Sequence, residues 1–175
     1  PISPVLLPTL ERVDGVVDLG MEFTPAPDDG AMDLDELRCF LIDPGLATDR
    51  FLTAYQVVPG DPRVVHHVIV FQAASDPTAA ATALDAEDAR PGWRCDGGPG
   101  VDAVPVALWA PGAGATVFPT GTGIRLVGGR PVILQMHYNF TSGAFPDRTR
   151  VDLTLEDSVP AERSEEHTSE LQSPY

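Results

Sequence analysis

The sequence contains no lysine: all eleven basic residues are arginine. Lysine codons are AT-rich, so this absence reads as the coding bias of a GC-rich, bacterial gene and not as a functional feature. Cysteine is nearly absent as well. Cys39 and Cys95 stand alone, which leaves one disulfide or two free thiols open and excludes a disulfide-dense scaffold. Long apolar runs are missing, so no membrane segment is expected. No basic stripe occurs, and the formal net charge is −15; a nucleic-acid partner is therefore not expected. The acidity is read as a contribution to solubility. The chain opens on Pro1 with no visible signal peptide, and the expectation is that a leader was removed or that upstream sequence is missing.

What is present is a β pattern. The 175 residues suffice for one domain, and a chain of this size buries roughly 70% of its unfolded surface. Short β-branched or alternating runs predict strands at 16–23, 38–43, 51–58, 64–71, 103–110, 123–127, 131–140 and 150–156. Turn clusters such as PAPDDG, PGDP and APGAGATVFPTGTG separate them and hold most of the proline and glycine. The Ala-rich stretch 74–90 predicts a loop with one short helix. Short strands at close spacing predict an all-β fold, an antiparallel β-sandwich or jelly roll.

The end of the chain, RSEEHTSELQSPY (163–175), breaks this pattern. Residues 163–173 resemble at every position the first-frame translation of a common short-read sequencing adapter. The genuine domain is expected to span 1–162, with 163–175 a disordered tail of adapter origin. His167 is accordingly excluded from any site.

Three histidines remain, all in predicted strands. His66 and His67 sit side by side in VVHHVIVF (64–71), and His137 lies in VILQMHYNF. A neutral imidazole is costly to bury unless both ring nitrogens are satisfied. One such histidine is ordinarily a satisfied core residue, but three on the two most apolar strands point to a shared metal ion. Adjacent strand residues face opposite ways, so His66 and His67 are expected to share an ion only at a bulge, a strand edge or a strong twist, and through different ring nitrogens. The preceding PGDP turn makes a distorted strand start plausible. Gln135 shares a face with His137, while Met136 points away and reads as core. Three imidazoles with no thiolate or carboxylate motif nearby suit copper or zinc.

The words around the histidines are more specific. RCFLIDPG (38–45), FLTAYQVVPGDPRVVHHVIVF (51–71), PGWRCDGGPG (91–100), LWAPGAGATVFPTGTGIRL (108–126), PVILQMHYNF (131–140) and DRTRVDLTLE (147–156) follow in order. Over residues 36–156 the chain resembles the N-terminal domain of the copper type II, ascorbate-dependent monooxygenases. These include peptidylglycine α-hydroxylating and dopamine β-monooxygenases and their bacterial relatives, and the bacterial type is the more similar.

The resemblance implies a subunit of two jelly-roll domains, each holding one copper. The first copper, bound by His66, His67 and His137, passes electrons supplied by ascorbate. The second, held by two histidines and a methionine in a C-terminal domain, activates O2 to hydroxylate an aliphatic or benzylic C–H. No His-x-His motif for that second centre occurs here, so the partner expected is a missing C-terminal copper domain, and the chain alone is expected to be inactive. A secreted or periplasmic location is implied. Pairing of Cys39 with Cys95 stays open, because the family's cysteines near these positions have other partners. Gln135 is a candidate hydrogen-bonding support for the copper ligands.

Other signals carry less. The glycines of TGTGIRL precede a strand and offer no helix N-terminus to a phosphate. Asp33, Asp35 and Glu36 lack calcium-loop spacing and read as a solvated turn. Asn139-Phe140-Thr141 is a formal glycosylation sequon. Trp93 and Trp109 read as packing residues. The rival functions are a non-catalytic copper-binding sandwich (carrier or sensor), a three-histidine zinc hydrolase, and an adhesive sandwich with structural histidines.

Overall fold

A computed structural model describes residues 7–27 and 34–163. The adapter-like tail beyond Arg163, with His167, and the acidic Asp33 lie outside the described residues. In chain order the elements are β1 (Gly15–Asp18), β2 (Asp35–Ile42), β3 (Arg50–Val58), β4 (Val65–Ala73), α1 (Thr78–Glu87), β5 (Trp93–Arg94), β6 (Ala103–Trp109), β7 (Thr116–Val117), β8 (Thr122–Leu126), β9 (Val132–Asn139), β10 (Arg150–Glu156) and β11 (Ala161–Glu162).

They form an all-β sandwich of two sheets. One runs β1-β10-β3-β8-β11, with β7 also on β3; the other runs β5-β2-β9-β4-β6. The pairings are antiparallel except β11 on β8. The inner faces are the ones the alternation demands: Val65, Val68 and Val70 of β4 and Leu134, Met136 and Tyr138 of β9 join Leu52, Tyr55, Val151 and Leu153 from the opposite sheet in the main core. Met136 is therefore core, and Trp93 and Trp109 are both buried, as expected.

Three departures from the sequence expectations have physical causes. The first strand stops at Asp18 because Gly20 takes a positive φ of 78° and turns the chain; Phe23 then touches the sheet again through a single bridge to Asp147. The second strand starts at Asp35, earlier than expected, because two charged residues occupy inward positions and hide the alternation. Glu36 and Arg38 are both buried, paired at 3.1 Å. Arg90 adds a second bond to Glu36 at 2.8 Å. Asp88 and the carbonyls of Arg90, Pro91 and Gly92 saturate the Arg38 guanidinium. Buried charges persist only when paired and hydrogen-bonded in this way. Strands β5, β7 and β11 span two residues each, too short for a period-two signal.

The outer face of the five-stranded sheet is divided. At one end α1 and the 91–101 segment cover a second, smaller core of Cys39, Ala81, Trp93, Cys95 and Ile133. At the other end the outward-facing residues of β2, β4 and β9 include the three histidines, which are exposed or half-buried.

Candidate metal centre

The turn before β4 is built to distort the strand. A Cβ at Gly60 would collide with the backbone of Arg148, so only glycine permits this close approach. Asp61 donates its N–H to the buried Asp147 carboxylate at 2.9 Å, and its own carbonyl accepts the N–H groups of both Val64 and Val65 at 3.2 Å. The chain thus enters β4 already curled. On the partner strand Val65 sits opposite Tyr138 and His67 opposite His137, with a register shift between them. His66 is the extra residue of a β-bulge. A regular strand would send His66 and His67 to opposite faces; the bulge brings them to the same one.

The three imidazoles converge. His66 Nδ1 lies 3.2 Å and His67 Nδ1 3.4 Å from His137 Nδ1, so the adjacent pair turns the same ring nitrogen to His137 and not the different ones expected, because the bulge sets both rings on one face. The ring centroids of His66 and His67 are 4.3 Å apart. Their ligand nitrogens all fall within 4.8 Å of one another. His66 is exposed, and His67 and His137 are half-buried, so the cluster lies at the surface of the outer face and not in the dry interior. Burial, and then the neighbouring His66 and His137, hold the His67 imidazolium below its ordinary pKa.

The set fits a metal ion. At this separation either one nitrogen of a pair donates a proton to the other or an ion lies between them. Two nitrogens each about 2.0–2.1 Å from one ion at a tetrahedral angle sit about 3.3–3.4 Å apart, close to the two distances seen. Imidazole donors suit copper and zinc alike. These three histidines can hold a metal ion.

Gln135 was the expected support of His137, and the structure places it elsewhere. It shares the β9 face but is buried, and its amide donates to the Cys95 carbonyl at 3.1 Å and approaches the Cys95 sulfur at 3.4 Å. The partner of His137 is Asp35, whose Oδ1 lies 2.9 Å from Nε2. Sequence reasoning assigned Asp35 and Glu36 to a solvated turn. In the fold they open β2, with Glu36 buried inward and Asp35 turned outward to the histidines. The pairing of β2 with β9 sets Asp35 opposite Asn139 and Leu37 opposite His137, a register that only the fold shows.

Cys39 and Cys95 form a disulfide with a Cα–Cα distance of 5.9 Å. The bond is compatible with an extracellular location. No helix among the described residues is long and apolar enough to cross a membrane. In comparisons with known proteins, no family model and no curated protein matches this chain.

Proposed function

We propose that the chain is the electron-transfer copper domain of a copper- and ascorbate-dependent monooxygenase. One observation carries the reading: the His-His pair, which the resembling words single out with the later histidine, brings both its Nδ1 atoms within 3.4 Å of His137 Nδ1 across a bulge. When bound there, copper supplies a one-electron carrier cycling between its two common oxidation states. His66, His67 and His137 would hold the ion. Asp35 holds a proton on His137 Nε2, because a carboxylate accepts and the ring must donate. The paired central strands β4 and β9 keep the imidazoles in place, which suits a centre that changes charge without rearranging.

Ascorbate is the proposed reductant. The oxygen-activating copper and the hydroxylated substrate belong to a second domain outside this sequence. The exposure of His66 favours a second reading, a carrier or sensor that exchanges its ion with solvent.

Copper titration of the purified chain beside His137→Ala tests the reading. One tight copper per chain, lost in the variant and reduced by ascorbate with disappearance of the Cu(II) spin signal, is the expected result. No specific copper in the folded wild type overturns it. The gene downstream then separates the two readings: a His-x-His motif with a ligand methionine belongs to the enzyme, and its absence to the carrier.

A further inference from the structure

The Asn139-Phe140-Thr141 tripeptide looks like a glycosylation signal, yet its polar side chains are already committed. The Thr141 hydroxyl donates to Asn139 Oδ1 at 2.8 Å, and the Thr141 N–H approaches the same oxygen at 3.4 Å. With its oxygen so engaged, the Asn139 amide turns its nitrogen to Asp35 and donates to Oδ1 at 3.1 Å. That same Oδ1 lies 2.9 Å from His137 Nε2. A hydrogen-bond chain therefore runs from Thr141 through Asn139 and Asp35 to the back of one imidazole in the histidine cluster. It joins the first residue of β2 to the last residues of β9 and the turn beyond, across the register pair Asp35–Asn139.

We propose that Asp35, oriented by Asn139 and Thr141, is a positioning residue that fixes His137 as an Nδ1 ligand. The inference rests on the metal-centre reading of the three histidines. A free imidazole exchanges its proton between two nitrogens and spins about its side-chain bonds. A carboxylate accepts and does not donate, so it holds the proton on Nε2 and leaves the Nδ1 lone pair bare toward His66 and His67. It also fixes the ring plane. Only one oxygen of Asp35 is needed, and Asn139 holds that oxygen in place. The sequon-like word is thus a support for the site: asparagine at the strand end supplies the donor, and threonine two residues on keeps the amide from flipping.

The test has two readouts on the full chain. Long-range 1H–15N correlation spectra of the 15N-labelled, metal-free protein report which nitrogen of His137 carries the proton. Competition titrations with Zn(II) and with Cu(II) report affinity. In the wild type the proton is expected on Nε2. Asp35→Asn keeps an accepting oxygen and should keep that tautomer. Asp35→Ala should give mixed tautomers and weaken both metals roughly 10- to 100-fold, and Thr141→Val should produce a smaller loss in the same direction. A proton on Nδ1 of His137 in the wild type overturns the proposal, whether or not the variants fold. So does an Asp35→Ala protein with unchanged tautomer and unchanged affinity. Wild-type protein that binds neither metal while His137 still carries its proton on Nε2 removes the underlying metal reading instead, and the two failures are thereby distinguished.

Discussion

At the scale of single residues, two of the polar side chains on the outer face of β9 divide their labour. His137 looks toward the other two histidines and Gln135 toward the disulfide. Replacing Gln135 with alanine removes one of two donors to the buried Cys95 carbonyl, which keeps the Gly98 N–H, a loss of about 0.5–1.5 kcal/mol. Thermal unfolding of Gln135→Ala should therefore show lower stability while metal affinity stays at the wild-type level. Loss of affinity instead would return Gln135 to the metal site. His67 carries a pH signature. Its folded pKa lies below the ordinary 6.5, so the unfolded chain takes up its proton first as pH falls. The stability His67 contributes is complete above that ordinary value and is lost as pH drops through the lower folded one. Metal-free wild type should accordingly lose more stability between about pH 7.5 and 5 than His67→Asn does; equal slopes would rule this out.

At the scale of elements, the bulge at His66 separates folding from metal binding. Deleting His66 would set Val65 and His67 as consecutive residues opposite Tyr138 and His137, and the inward-outward alternation of β4 would continue unbroken. The shortened protein should fold with a melting temperature close to wild type and bind metal far more weakly. A deletion variant that fails to fold would show that the curled entry through Asp61 and Asp147 cannot accept a regular strand. The same elements show what a sequence reveals. Strands β3, β4, β9 and β10 announce themselves through β-branched alternation, and the need for a bulge follows from two adjacent histidines and the period of a strand. Asp35 was hidden because its strand begins with Glu36 and Arg38 facing inward, a pattern that reads as polar turn until their mutual ion pair is seen. The opposite error befell Gln135, where sharing a face with His137 said nothing of the Cys95 carbonyl brought up from a distant loop.

Across the whole molecule, the Cys39–Cys95 bond is the one covalent link between distant parts of the chain, with a sequence separation of 56. In a chain-entropy account a ring of that size stabilises by about 4 kcal/mol. The double variant Cys39→Ala, Cys95→Ala should lose about 2–4 kcal/mol in denaturant unfolding, and a loss near zero would place the stabilisation elsewhere. Both sulfurs belong to the small outer core under α1, so reductant should act only after that core opens. The ring holds His66 and His67 inside it and leaves His137 outside. Under mechanical load the consequence is concrete. Stretched from its two ends, the oxidised chain cannot release the enclosed segment of 56, and its full extension falls short of the reduced chain's by roughly 190 Å. An ion gripped by all three imidazoles would then tie the slack ring to the taut strand beyond it.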